Sequence, residues 1–345
     1  MATRPTSRYD RQARFAPIGD EGQRRLCEGR ALVCGCGALG SVVAETLVRA
    51  GVGFVRIVDR DFLELNNLQR QVLYTEKDVA DGLPKAIAAA NHLRQINSDV
   101  DIEPVVVDVT FQNAADLAGD VDILLDGTDN FAVRFLLNDF AVKNKKPWIY
   151  GGCIGAEGQT MTILPGESAC LACLMNDAPP PGTTPTCDTA GIIAPIIGVI
   201  ASIESSEALK ILSGHRDAVS RKLTIIDLWD NQIRSVDLGR LRDSSDCRVC
   251  KHGQFVWLSG ERGSTSAVLC GRNAVQLSAS ATAPASLDDI AARLNGVGQI
   301  QINAFLLRFC ADDYVLTVFP DGRTIVSGTN DIATARTLHA RYIGA

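Results

Sequence analysis

Two Cys-x-x-Cys pairs, Cys170/Cys173 and Cys247/Cys250, carry the sharpest chemistry in this sequence. Each pair sets two thiolates on one tight turn, and two such turns supply the four soft ligands of a tetrahedral Zn²⁺ site. No other ligand is spaced to complete or open that site, so a closed, structural zinc clamp is expected. Cys187 stands alone between the pairs, at the foot of a stretch rich in Pro, Gly and Thr (177–186) that reads as a mobile loop. A long helix is expected to run from about Thr189 to Leu212. A thiol exposed just ahead of that helix N-terminus suits nucleophilic chemistry; an idle, buried thiol is the alternative. Cys34, Cys36 and Cys153 flank glycine turns and read as small core residues, while Cys27, Cys270 and Cys310 fit no pattern.

A second constellation lies upstream. Gly35-x-Gly37-x-x-Gly40 lets backbone amides approach a phosphate chain at a helix N-terminus, where the helix dipole favours anions. Asp59 ends the next strand, the usual place for a carboxylate that binds ribose hydroxyls. These two features alone suit NAD, FAD or ATP equally. Asp61, Arg70, Lys85 and Asp129 then gather a carboxylate, a guanidinium, an ammonium and another carboxylate at the carboxyl edge of the sheet. Cations for a triphosphate and a carboxylate for Mg²⁺ make a phosphoryl- or nucleotidyl-transfer site. A nicotinamide enzyme needs none of these groups near its pyrophosphate.

The elements that must position these residues alternate. Apolar runs at 31–34, 54–58, 102–107, 121–125 and 148–150 are separated by helical stretches that follow the Gly35–Gly40 turn to Ala50 and span 85–96 and 131–144. That alternation specifies an α/β fold with a doubly wound, mostly parallel sheet. Past Gly151 the runs at 159–164, 223–228 and 232–238 read as antiparallel strands that extend it. Residues 1–253 are thus expected as one domain, with a nucleotide-binding part at about 28–150 and a zinc and cysteine part at about 151–253. Residues 254–345 read as a small C-terminal α+β domain, with strands at 305–309, 314–319 and 324–327 and helices near 287–294 and 331–342. The Pro320-Asp-Gly-Arg323 turn between two alternating runs is a hairpin signal.

Composition removes other classes. The net charge of −6 argues against nucleic acid as the main partner. The N-terminus is polar and arginine-rich, with no apolar segment of a signal peptide. The most apolar run, 192–203, is too short to span a bilayer and contains Pro195 and Gly198, so no membrane partner is expected. Eleven cysteines without an export signal point to a reducing, cytoplasmic location.

Over residues 7–253 the chain resembles the ThiF/MoeB adenylyltransferases, relatives of the ubiquitin-activating enzymes. The resemblance rests on Arg8-Tyr-Asp-Arg11-Gln, Gly35–Gly40, Asn67-Leu-Gln-Arg70-Gln, Pro84-Lys85, Thr128-Asp129-Asn130, both Cys-x-x-Cys pairs and Cys187-Asp-Thr-Ala-Gly191. It implies adenylylation of the C-terminal glycine of a ubiquitin-like sulfur carrier ending in Gly-Gly, of the ThiS or MoaD type, with release of pyrophosphate. The pathway would be thiamine or molybdopterin biosynthesis. It further implies that Gly37 and Gly40 cradle phosphate and that Asp59 binds ribose. Arg70 and Lys85 would hold the triphosphate, Asp129 would position Mg²⁺ and the adenylate, and Asn67 and Asn130 would join the nucleotide site. Arg11 would reach into a neighbouring subunit's ATP site, making a homodimer the active unit. Cys187 matches a cysteine that in some members forms a covalent link to the carrier, and a sulfurtransferase or cysteine desulfurase would follow. The alternatives are an NAD-dependent oxidoreductase and an activating enzyme for another ubiquitin-like modifier.

The C-terminal domain departs from the family's sulfur-supplying rhodanese appendage, because no cysteine in it sits in a loop ringed by basic residues. A partner-binding or packing role is expected there.

Overall fold

The computed structural model describes residues 7–180, 183, 187–262, 266–269, 273–277 and 286–344. Contacts divide the chain into two compact units, one of residues up to Pro179 with Ala190–Arg262, the other of Pro180–Thr189 with residues from Gly263 onward.

The first unit is built on eight strands: β1 (Arg30–Cys34), β2 (Phe54–Val58), β3 (Asp101–Val105), β4 (Ile123–Asp126), β5 (Trp148–Ile154), β6 (Glu157–Ile163), β7 (Lys222–Asp227) and β8 (Gln232–Asp237). Their order is β3-β2-β1-β4-β5-β6-β7-β8. The first five are parallel, and β5 through β8 pair antiparallel. Its helices are α1 (Asp10–Ala13), α2 (Gly19–Glu28), α3 (Ala38–Ala50), α4 (Glu76–Ala80), α5 (Lys85–Ile96), α6 (Ala114–Ala118), α7 (Phe131–Asn144) and α8 (Leu171–Leu174). A four-residue helix α9 (Cys187–Ala190) starts in the second unit, and α10 (Ala194–Leu212) and α11 (Gly239–Ser244) complete the first.

The doubly wound sheet and its antiparallel extension agree with the expectation from sequence. Two boundaries move. The strand expected to stop at 150 runs to Ile154, because Cys153 and Ile154 pair with Gly158 and Glu157 in an antiparallel hairpin. The long helix begins at Ala194 rather than at Thr189. Gly191 has φ +74°, a left-handed conformation that ends α9, and Pro195 then sits in the first turn of α10, where its missing N–H is harmless.

Helix α3 shows why the sheet is covered as it is. Leu39, Val43, Ala44, Leu47 and Val48 are buried at helical spacing, and Gly51, at φ +81°, caps the end. Together with α5 and α10 this face builds one apolar layer, and α7, α8 and the segment after Cys250 build the other.

The first unit runs through Arg262, past the 253/254 boundary expected from sequence. Trp257 explains the difference. Its ring stacks on Phe135 of α7 at 6.0 Å, its backbone N–H donates to Asp139 at 2.9 Å, and its indole N–H donates to Asp177 at 3.1 Å.

The second unit holds β9 (Ser266–Leu269), β10 (Ala274–Leu277), α12 (Leu287–Leu294), β11 (Gln299–Ile302), β12 (Leu307–Ala311), β13 (Tyr314–Val318), β14 (Thr324–Ser327) and α13 (Ile332–Tyr342). The sheet is antiparallel, in the order β11-β12-β13-β14-β10-β9. Gly322, at φ +82°, turns the expected β13–β14 hairpin. Cys310 lies within β12, a poor place for a reactive thiol. Among the described residues no helix is long and apolar enough to cross a membrane.

Candidate active site

Register assembles the site. Cys34 pairs with Val58 on one side and Asp126 on the other, so β1, β2 and β4 end level with one another. Gly35, Asp59 and Gly127 therefore emerge side by side at the carboxyl edge, the ligand-binding edge of such sheets. Gly35 donates its N–H to Val58 O at 2.7 Å, and Gly127 to Cys34 O at 2.7 Å. A side chain on Gly35 or Gly127 would collide with the other strand's backbone, and a Cβ on Gly40 would lie 1.9 Å from Gly35 O. Gly37 differs: a Cβ there would meet nothing closer than the Gln71 amide nitrogen, 3.8 Å away, which leaves the turn open above it. Gly37 is also the N-cap of α3, with no side chain capping the helix.

Asp59 accepts N–H from Cys36 and from Asp61, each at 2.7 Å, one on each carboxyl oxygen. Burial raises its pKa, opposed chiefly by the Lys85 charge. Two hydrogen bonds leave carboxylate lone pairs that can still accept from hydroxyls. Lys85 opens α5 with its backbone N–H on Asp61 O at 2.8 Å, and its ammonium lies 3.3 Å from the Asp61 carboxylate. It is only 4% exposed, so the charge is held in a poorly solvated place beside the glycine turn.

Arg60 and Asp108 were not foreseen. The Arg60 guanidinium takes Asp108 at 2.8 and 3.0 Å and lies 3.7 Å from Asp61. Burial works against its charge, but Asp108, Asp61 and Asp129 hold it protonated more firmly than usual. The edge therefore alternates acid and base across Asp108, Arg60, Asp61 and Lys85, with the exposed Asp129 within electrostatic reach of Arg60.

Other expected residues have structural work of their own. Asn67 is buried, accepts Glu64 N–H at 3.1 Å and donates to Asn66 at 2.8 Å, fixing the 65–67 turn. Arg70 follows that turn and donates to Asn66 O at 2.9 Å. Asn130 caps α7, its side-chain oxygen accepting from Ala132 at 2.8 Å and Val133 at 3.4 Å. Below Asp129, a buried ion pair joins Arg134 to Asp126 at 2.9 Å, and Arg134 also donates to Thr128 O and Gly151 O. No motif pointed to this pair, although Gly127 and Asp126 immediately precede the quoted Thr128-Asp129-Asn130.

Arg11 is not brought to the glycine turn of its own chain. It is exposed on α1 and lines a surface recess with Arg8, Asp10 and Arg14. This arm is fastened by Tyr9, whose hydroxyl accepts from Asn97 at 2.7 Å. Cys187 begins α9, so it does not precede the long helix directly; its side chain and half of the 177–186 loop lie outside the described residues. Cys34 and Cys36 are fully buried core residues, and burial pushes the Cys36 thiol up to about 12.

The four paired cysteines converge. Sγ atoms of Cys170 and Cys173 are 3.8 Å apart, Cys170 and Cys247 3.6 Å, and Cys173 and Cys250 3.4 Å. All four lie within 4.8 Å of one another, a set that could hold a metal ion. Tetrahedral coordination at about 2.3 Å places sulfurs about 3.8 Å apart, so the spacing fits zinc, whereas a disulfide needs about 2.05 Å.

Residues 9–249 match the ThiF family. The sulfur carrier protein ThiS adenylyltransferase of Bacillus subtilis is 46% identical over 340 residues, covering 98% of this chain and all of that protein, the C-terminal unit included. The sulfur carrier protein adenylyltransferase of Thermus thermophilus is 38% identical over 248 residues, 70% of this chain and 90% of that protein. Among solved structures, E. coli MccB with ATP matches with a TM-score of 0.62 at 22% identity, over 72% of this chain and 76% of that one.

Proposed function

The chain belongs to the ThiF family, and from that premise we propose how its site adenylylates a sulfur carrier protein. It is an adenylyltransferase that activates a ubiquitin-like sulfur carrier. The carrier is a small protein of the ThiS or MoaD type, ending in Gly-Gly and serving thiamine or molybdopterin biosynthesis. The observation that carries the mechanism is the cluster of Asp59, Asp61 and Lys85 around an uncapped helix N-terminus.

An oxygen of the carrier's terminal carboxylate attacks the α-phosphorus of ATP. The bond from that phosphorus to the bridging oxygen of the β-phosphate breaks, and pyrophosphate leaves. The nucleophile is already ionised, so no protein base is required. Catalysis consists of positioning and charge neutralisation. Gly35, Gly37 and Gly40 admit the phosphates, Asp59 takes the ribose hydroxyls, and Arg70 and Lys85 neutralise the departing charge. Asp129 and Asp61 are hard oxygen donors that would hold Mg²⁺, which supplies further positive charge to the phosphate chain. Asn67 and Asn130 shape the walls. Cys170, Cys173, Cys247 and Cys250 would hold a structural Zn²⁺.

Arg11 is assigned to the ATP site of a second copy, in a homodimer. Cys187 is assigned a covalent link to the activated carrier, with sulfur delivered by a sulfurtransferase or cysteine desulfurase. The test is ATP–pyrophosphate exchange by purified protein with carriers ending in Gly-Gly. Exchange should appear with a cognate carrier and vanish when its last glycine is removed. Exchange that survives that truncation refutes attack by the terminal glycine.

A further inference from the structure

The C-terminal sheet has two faces, and its helices use one of them. Val275, Val326, Leu316 and Phe309 are neighbours across four strands, and they pack with Ile290 of α12 and Leu338 of α13. Successive strand residues point to opposite faces. The adjacent row, Arg308–Thr317–Ile325–Gln276, therefore points away from both helices. That row is shielded all the same: Thr317 is 2% exposed, Gln276 5% and Ile325 6%. Arg308, at the end of the row, is half-buried. The two helices do not supply this cover.

Two observations point to what does. Contacts group Pro180–Thr189 with the C-terminal unit, although the chain before and after that segment belongs to the first unit. An excursion of that kind finds its contacts on the unit it joins. The charges also match. The shielded row carries one cation, Arg308, and no acid, while residues 178–189 contain a single charged residue, Asp188. The rest of that segment is Pro, Gly, Ala, Thr and Cys, small side chains that let a backbone lie close against a sheet.

We propose that the segment bearing Cys187 seats on the helix-free face of the C-terminal sheet, with Asp188 set against Arg308. The C-terminal unit, and not the nucleotide-binding sheet, then holds the thiol assigned to take the activated carrier. Its part in the reaction comes after adenylylation. The proposal deepens that reading of Cys187, but the seat itself is tested without carrier or nucleotide.

Amide hydrogen exchange on the full chain, read by mass spectrometry in peptides covering 187–193, supplies the test. Arg308→Glu should speed exchange in α9 about fivefold, the weight of one partly screened ion pair, while β12 and β13 keep their protection. Asp188→Arg alone should have the same effect. It changes nothing in the sheet, so it decides the question if Arg308→Glu loosens the whole unit. The two substitutions together restore opposite charges, and exchange should return to within about twofold of wild type. Unaltered exchange at α9 in Asp188→Arg, or a double variant that exchanges as fast as either single one, overturns the proposal. ATP–pyrophosphate exchange by Arg308→Glu should match wild type, because the altered residue lies outside the nucleotide site. A wild-type chain without that activity would end the adenylylation reading and leave the seat standing.

Discussion

Glu204 tests how far burial in this protein controls ionisation. It sits on α10, fully buried, and neither carboxyl oxygen has a hydrogen-bond partner. The carboxyl lies flat on β5, where a Cβ on Gly151 would come within 1.4 Å of its Oε1. Burial raises its pKa well above the ordinary 4.5, and the nearby Asp126 pushes the same way. Arg134 opposes both, but its guanidinium is already committed to Asp126, Thr128 O and Gly151 O. Burial therefore favours the protonated form of Glu204 in the folded protein at pH values where a free glutamate has ionised. The unfolded chain releases that proton near pH 4.5, so the folded state binds it more tightly. The contribution to stability is complete below 4.5 and is lost as pH rises toward the folded pKa. The slope is about 1.4 kcal/mol per pH unit. Glu204→Gln has the same shape and no titration. Above pH 4.5 its stability relative to wild type should gain about 1.4 kcal/mol per unit until the folded carboxyl itself ionises, or about 2–4 °C in midpoint for each kcal/mol. Urea melts of both proteins at stepped pH measure the difference directly. Parallel pH profiles would refute the reasoning, because they require a carboxyl that ionises alike in the folded and unfolded chain.

Lys85→Met removes the buried ammonium beside Asp61, and ATP–pyrophosphate exchange should lose about 10²–10³ in kcat/KM, the cost of one preorganised charge contact. A loss below tenfold would remove Lys85 from the transition state. Gly127→Ala places a methyl 2.3 Å from Gly35 O and 2.7 Å from Gly40 Cα, so the glycine turn must shift. Stability should fall by about 1–3 kcal/mol and MgATP binding should be lost; an alanine variant with native affinity shows that the turn has slack. Purified protein should carry about one zinc per chain by elemental analysis, and Cys250→Ser should lose the metal and unfold at lower temperature. Full metal content in that variant would place the ion elsewhere.

The glycine turn, Asp59, Lys85 and the cysteine pairs were legible in the sequence because each is fixed locally. A positive φ at Gly35, a strand end at Val58, a helix start at Lys85 and a two-thiol turn all leave their marks within a few residues. Arg60 with Asp108 left no such mark. The partners are 48 residues apart and meet only because β2 and β3 are neighbours in register. Glu204 was hidden for another reason. With Glu207 and Lys210 it looks like the polar face of a helix, yet Glu204 and Glu207 are both buried. Helix periodicity says which residues share a face, not whether a neighbouring sheet covers it. The second unit was harder still: β9, β10 and β11 are four residues each with no Asp-Gly turn beside them, whereas Asp321-Gly322 announces the equally short β14.

The four-cysteine cluster and the nucleotide site share an element, so a metal held by those thiolates would bear on the site without taking part in the chemistry. Cys247 and Cys250 anchor the start of the segment that continues through Trp257 and Leu258. Both of these residues donate backbone N–H to Asp139, in the middle of α7, and Trp257 packs on Phe135 one turn earlier. At its N-terminus α7 is capped by Asn130, and Asp129 precedes the cap. Asp129 is exposed and has no helix of its own, so its placement depends on where α7 begins. Four thiolates on one ion would tie the Cys170–Cys173 turn at α8 to the Cys247–Cys250 turn. Such a clamp would act on catalysis through the position of α7, so metal loss should damage folding and the orientation of Asp129 together, and leave the Asp59–Asp61–Lys85 cluster at β2 and α5 with its own hydrogen bonds.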